Sequence, residues 1–431
     1  MSYAKQTWTN GSGGATPLSA ARLQHMEDGI EGVGLDATTT KWAPRSPDLA
    51  VEATRATSLL TGSTIAVTFG TGAATTISGG VEAANLGSPA GKLALIGTNA
   101  AGLDQPVAGV WAANWKAAAD GTSGTLLYPT TSFGVEFWVV GTRYVELNIM
   151  TVPGPYIQFW VDDRKTSDLP LTSGTWVDYN ANTVKLDLGD ASMHKVRVMM
   201  NGIALGKVWT QANGTVFASE PEPGRRFMVV GDSHSAGTVK NTGYELGAWL
   251  PIFANLAGIA DYWNGAIAGT GPNQTSTGYP NYKTRATQDV VPNIPDVVLV
   301  AGWLNDKVNG RSAANIAADM TTIITTIKVG SPATRIIVGG SIDPAGANGT
   351  DYTNIDAAVK SVCATAGVEF VSPTTGEIVS AAGTVLRTTA PWINTANKAA
   401  LIGDDNLHYI DVGAKYMAAR WLEAWKALIG A

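Results

Sequence analysis

The sequence predicts a multidomain chain: an N-terminal helical, coiled-coil segment, a central antiparallel β-sandwich, and a C-terminal α/β/α domain built on a parallel sheet. Three observations predict it. At 431 residues the chain is longer than one ordinary domain. Between about residues 106 and 220, short strand patterns separated by turns recur at sandwich-like spacing. Past residue 221 the pattern changes to continuous apolar runs alternating with helical stretches, the mark of a parallel sheet covered on both faces.

Composition narrows the function classes. Hydrophobic residues make up 45% of the chain and charged residues 15%, which supplies a core and excludes a disordered polar chain. The net charge of −6, with no Lys/Arg cluster to offset it, argues against a nucleic-acid partner. No uncharged apolar stretch approaches the ~20 residues of a membrane helix, so no membrane insertion is expected. The start, Met1 to Trp8, lacks an apolar core, so no secretory signal is expected either. The single cysteine, Cys363, lies in a helical pattern and reads as a buried small hydrophobe. Four histidines without paired ligand spacing leave no catalytic metal or other cofactor to expect.

Residues 1–40 read as an attachment segment with one short helix. Thr16 can cap it and Pro17 suits its first turn. Leu23, Met26, Ile30 and Val33 then recur at heptad spacing, as in an amphipathic helix or a short coiled-coil seam. Gly29 and Gly32 weaken an autonomous coil. Residues 41–105 are rich in Gly, Ala and Thr, contain strand patterns such as Thr64 to Phe69, and suggest no function. Residues 106–220 form the sandwich. Its Trp138, Tyr156, Phe159 and Trp160 either fill the core or stack on sugars. Pro221-Glu222-Pro223-Gly224 reads as a linker into a domain at 221–431. There the β-branched runs Phe227–Val230, Ala260–Trp263, Val297–Ala301, Arg335–Val338 and Val368–Val371 predict strands. Tyr244–Leu256, Ala313–Ile327, Ile355–Ala366 and Val412–Leu428 predict the helices between and after them. Ligands of such sheets sit beyond the carboxyl ends of the strands.

Four short motifs fall at that edge. Ser233, in Gly231-Asp232-Ser233-His234, follows the first strand at a strand-to-helix turn. A serine hydroxyl is a weak nucleophile unless a base takes its proton. His408 is the candidate base, and Asp405, three residues earlier, can hold its ring in one tautomer. The backbone N–H of Ser233, the N–H of Gly269 and the side-chain amide of Asn305 are the candidate oxyanion donors. Each piece alone has a plainer reading as a turn, a helix cap or a surface pair. Their order, each at the functional edge, points to ester hydrolysis. His234 is a rival base through its adjacency to Ser233.

These motifs resemble the SGNH, or GDSL-type, hydrolases over about residues 225–431. Asp232-Ser233 matches the first block of that family, Asn264 to Gly269 the second, Asn305-Asp306 the third, and Asp405 with His408 the fifth. The resemblance implies a flavodoxin-like fold, Ser233 as nucleophile, Gly269 and Asn305 completing the oxyanion hole, and His408 with Asp405 as base and partner. Two positions depart from the family pattern. His234 replaces an apolar or small residue, and Trp303 stands where the third block usually has glycine, with Gly302 one residue earlier. A change at Trp303 is expected to reshape or narrow the pocket.

A second resemblance covers about thirty residues. Trp8-Thr9-Asn10-Gly11, Thr16 to Leu23 and Met26 to Ile30 look like the opening of phage tail proteins. That implies a virion location, tail-protein partners and a homo-oligomer, a trimer above other states. A sandwich before an SGNH domain also looks like a carbohydrate-esterase family that deacetylates polysaccharides. The expectation is a tail-borne esterase acting on a host cell-surface polysaccharide ester. The alternatives are an adhesin that has lost turnover, for which Trp303 is the main support, and a structural tail component. Two stretches, residues 272–289 with Tyr279, Tyr282 and Arg285, and residues 373–404 with Arg387 and Trp392, read as long loops over the site. Asp232, His234, Trp303, Arg387 and Trp392 are the candidate substrate contacts. No extended apolar lid is evident, which suits small polar acyl esters better than lipids.

Overall fold

In the central region every second strand residue is apolar, and that alternation produces one large antiparallel sheet. The structure, a computed structural model, describes residues 65–96, 133–219, 226–237 and 248–430, apart from residues 73, 86–91, 163, 168–169, 179, 260 and 277. The heptad segment and the linker of the sequence reading lie outside the described residues. The first sheet contains β1 (Ala66–Thr71), β2 (Val81–Asn85), β3 (Ala94–Ile96), β4 (Phe133–Val140), β5 (Tyr144–Val161), β6 (Arg164–Lys165), β7 (Ala181–Asp187), β8 (His194–Thr210) and β9 (Thr215–Ala218). Its main order is β1-β7-β5-β8-β4-β3, and every pairing is antiparallel. Strands from both sides of residue 105 therefore share it.

The two long strands, β5 and β8, pair along most of their length, with register shifts between Asn148 and Ile149 and between Thr151 and Tyr156. Val135, Phe137, Val139, Leu147, Phe159, Val184, Val196 and Val198 alternate along their strands and meet in one core. On the other face, Met199, Tyr156 and Trp160 pack against the core of the C-terminal unit. Of the four aromatics weighed as sugar platforms, Phe159 is thus core and Tyr156 and Trp160 seat one unit on the other. Trp138 is partly exposed, opposite Lys195 and Phe217.

The second sheet contains β10 (Arg226–Gly231), β11 (Asp261–Asn264), β12 (Val297–Ala301), β13 (Arg335–Gly339), β14 (Glu369–Val371), β15 (Glu377–Val379) and β16 (Val385–Thr388). Its order is β11-β10-β12-β13-β14-β15-β16. The first five run parallel, in the 2-1-3-4-5 order of flavodoxin-like sheets. The last two are antiparallel additions at the edge.

The parallel strands are apolar on both sides because both faces are covered. Phe227 and Val229 of β10 point into one cluster with helices α2 (Trp249–Leu256) and α5 (Asp411–Ile429). Met228 and Val230 point into the other, with α3 (Ala313–Gly330) and α4 (Thr350–Ala366). Cys363 sits in that second cluster, and burial pushes its thiol up to about 12. Among the described residues, no helix is long and apolar enough to cross a membrane.

Two stretches read as loops carry regular structure. Residues 282–293 form a helical segment with a π-turn at Ala286–Val290. Residues 373–404 contain β15, β16 and a short helix at Lys398–Leu401. The switch point matters most for function. The chain leaves β10 toward β11 on one side and then crosses to β12 on the other, so the ends of these three strands frame one crevice.

Candidate active site

The crevice is built on tight turns. β10 ends at Gly231, Asp232 caps the four-residue helix α1 (Ser233–Ala236), and Ser233 is its first residue. The cap is local: Asp232 Oδ1 accepts the backbone N–H of His234 at 3.0 Å. A Cβ on Gly231 would lie 2.8 Å from Ser235 Cβ, so glycine is what lets the helix turn back against the strand. Asn264, at the end of β11, donates its side-chain amide to the Ser235 carbonyl at 2.9 Å and braces the helix.

The second turn, before α5, carries the base. Asn406 takes a left-handed conformation, with φ at 57°, which Asn tolerates and which bends the chain sharply. Asp405 Oδ1 accepts the backbone N–H groups of Leu407 and His408, each at 3.0 Å. Its Oδ2 lies 2.8 Å from His408 Nδ1, and His408 Nε2 lies 3.0 Å from Ser233 Oγ. A carboxylate can only accept, so the ring proton sits on Nδ1 and the Nε2 lone pair faces the serine hydroxyl. Partial burial works against the Asp405 charge. The His408 and backbone hydrogen bonds outweigh it and hold the carboxyl at about 2, ionised at any ordinary pH.

The oxyanion candidates stand at the neighbouring strand ends. Gly269 follows β11 with φ at +77°, and a Cβ there would be strained and would meet Ser276 Oγ at 2.9 Å. Asn305 follows β12 in a helical turn, Leu304–Val308. Its Nδ2 gives one hydrogen to the Thr270 carbonyl at 2.9 Å, which orients the amide and leaves a second hydrogen for a ligand. The Ser233 amide, first in its helix, belongs to the set that the helix itself does not use.

Two buried ions hold this edge together, and neither role was read from the sequence. Asp306 is 1% exposed and accepts the backbone N–H groups of Asn273 and Gln274 at 2.9 and 3.2 Å. It ties the loop after Gly269 to the turn of Asn305, and burial raises its carboxyl above the usual range. Arg285, read as a loop residue over the site, is wholly buried. Its Nε bonds Asp289 at 3.2 Å and its Nη1 reaches the Gly231 carbonyl at 3.4 Å. The i,i+4 spacing of Arg285 and Asp289 was the signal that could have revealed them.

The candidate substrate contacts divide. Asp232 is buried as the cap. His234 directs Nε2 to the Leu407 carbonyl at 3.0 Å, so His408 is the ring that meets Ser233. Three placements correct the sequence reading. Trp303 is fully buried between the sheet and α4, 5.4 Å from the Tyr352 ring, and does not line the crevice. The left-handed turn falls on Gly302, φ +90°, and so the residue after it is free to be large. Trp392 is 1% exposed and packs edge-on to Trp421 at 5.0 Å, an apolar ring taken into the core. Arg387 lies on edge strand β16 and pairs with Glu423 of α5 at 2.5 Å, away from the strand ends that hold the site.

No family model and no curated protein matches this sequence. Solved structures do match its fold. A family two carbohydrate esterase from Cellvibrio japonicus aligns at TM-score 0.52 and 16% identity, covering 70% of this chain and 90% of its own. An active-site mutant of a family two carbohydrate esterase from Clostridium thermocellum aligns at 0.51 and 16%, covering 70% and 93%. A salicylyl-acyltransferase from a tetracycline biosynthetic pathway aligns at 0.50 and 15%, covering 81% and 97%. At these identities the likeness is one of fold. It extends over most of each neighbour.

Proposed function

We propose that the chain is a serine ester hydrolase carried on a phage tail, which removes acyl groups, acetyl foremost, from a host cell-envelope polysaccharide. The observation that carries the hydrolase is the relay from Asp405 through His408 to Ser233, at 2.8 and 3.0 Å, set at the switch point of the parallel sheet. In this mechanism Ser233 Oγ attacks the ester carbonyl while its proton passes to His408 Nε2. The resulting oxyanion takes hydrogen bonds from the Ser233 and Gly269 amides and from Asn305 Nδ2. His408 then protonates the departing sugar oxygen. Water, deprotonated by the same ring, releases the acid and restores the serine.

Polysaccharide as substrate draws on the fold shared with the two carbohydrate esterases and on the antiparallel sheet that precedes the catalytic unit. The tail setting, the trimer and the tail-protein partners draw on the opening residues alone. The adhesin alternative drew on Trp303, and the burial of that ring removes its main support. The test compares wild type with Ser233→Ala on p-nitrophenyl acetate, on a longer acyl ester and on acetylated polysaccharide. Short-chain turnover lost in the variant, with acetate released from polysaccharide only by wild type, is the expected result. Equal activity, or none, in both proteins sinks the hydrolase reading.

A further inference from the structure

Both ring nitrogens of His234 face oxygen atoms that can only accept. Nε2 lies 3.0 Å from the Leu407 carbonyl oxygen, and Nδ1 lies 3.4 Å from Asp232 Oδ1. A neutral ring carries one proton and would set a lone pair against one of those oxygens; the imidazolium satisfies both. The side chain is only 10% exposed, so water does little to relieve a mismatch. The groups around it are Asp232 on its own turn and Asp405, Leu407, His408 and Tyr409 on the facing turn. Burial opposes its charge, but Asp232, the Leu407 carbonyl and Asp405 together keep the ring protonated above the usual histidine range. The residue after the nucleophile thus grips the residue before the base. Its ring centre lies 5.6 Å from that of His408.

Resting on the esterase reading above, we infer that His234 is a positioning residue: a strut that locks the base turn onto the nucleophile turn and so holds His408 within hydrogen-bond reach of Ser233.

Two variants separate grip from charge. His234→Gln retains an amide donor for the Leu407 carbonyl without the charge, and His234→Leu retains neither. In His234→Gln plateau kcat stays within roughly tenfold of wild type, because the donor to the Leu407 carbonyl is kept. In His234→Leu plateau kcat falls about 100-fold with little change in KM, the cost of a misplaced base. Plateaus unchanged in both variants, or lowered equally in both, overturn the proposal. A second readout needs no catalysis. The full chain, carrying Ser233→Ala and 13C-labelled histidine, has four histidine rings to follow by NMR titration. A His234 ring that titrates above the ordinary histidine value is expected. A His234 ring that titrates at or below the ordinary value of about 6.5 overturns the strut even if the chain hydrolyses nothing.

Discussion

In the parallel sheet, His408 stands between Asp405 at 2.8 Å and Ser233 at 3.0 Å. In the antiparallel sheet, His194 stands between Asp162 at 2.9 Å and Ser192 at 3.3 Å. The two groupings use the same three residue types at nearly the same spacing. They differ in what else reaches the histidine. Asp190 Oδ1 lies 3.2 Å from the same Nε2 of His194 that faces Ser192. With a carboxylate on each side, both ring nitrogens of His194 face acceptors, and the bond to Asp162 leads in raising its ring above the usual histidine range. Its Nε2 is shared with the Asp190 carboxylate and is not given over to the serine hydroxyl. The Ser192 hydroxyl itself bonds Asp190, which that contact helps hold at about 2. Ser192 also sits on an exposed turn before β8 rather than at a parallel strand end beside oxyanion donors. A serine–histidine–aspartate chain is therefore not a catalytic site by itself. The free Nε2 lone pair and the donors at neighbouring strand ends make the difference.

That difference can be broken residue by residue. Asp405→Asn should lower kcat by about 10⁴-fold, as loss of the orienting carboxylate does in other triads, because the ring then favours the wrong tautomer. Asp162→Asn should leave kcat unchanged, and steady-state kinetics on a short acyl ester checks both. Next in size is Asn305→Ala, which removes one oxyanion donor and should cost about 10²–10³ in kcat with little change in KM. A change in KM alone would mean that Asn305 binds substrate instead of the developing charge.

The smallest effect belongs to the antiparallel sheet. The folded His194 pKa is raised, so its contribution to stability is fully present below the unfolded value of about 6.5 and is lost as pH rises through the folded value. The pairs are partly exposed, so the contribution is about 1 kcal/mol or less. Thermal unfolding of wild type should thus show a slightly higher Tm at pH 5.5 than at pH 8.5 from this group, and Asp162→Asn should shrink the gap. A wider gap in the variant would contradict the assigned charge on His194.

The Ser233, His408 and Asp405 grouping was legible in the sequence because its residues lie in short motifs at strand ends, and the five parallel strands were legible as short, mostly apolar runs between helical stretches. What escaped has physical reasons. Trp392 lies among Thr, Ala, Pro and Asn, so its local pattern reads as a loop, although the ring packs on Trp421 from a helix about thirty residues away. Trp303 follows a glycine at the functional edge, and nothing local says that its ring turns inward. Arg285 is a charged residue in a polar stretch, and only its i,i+4 spacing to Asp289 hinted at the partner that allows its burial. Strand β16 is exposed at all four residues and β15 is three residues long, so neither shows a strand period. His194 and Asp162 are 32 residues apart and meet only because β5 and β8 pair.

The central claim is that Ser233, and not Ser192, is the activated serine. Treating the full chain with a fluorophosphonate and mapping the adduct by mass spectrometry tests it most directly. The account predicts one covalent adduct on Ser233, lost in His408→Gln and kept in His194→Gln. An adduct on Ser192, or an unmodified Ser233 in folded protein, would contradict it.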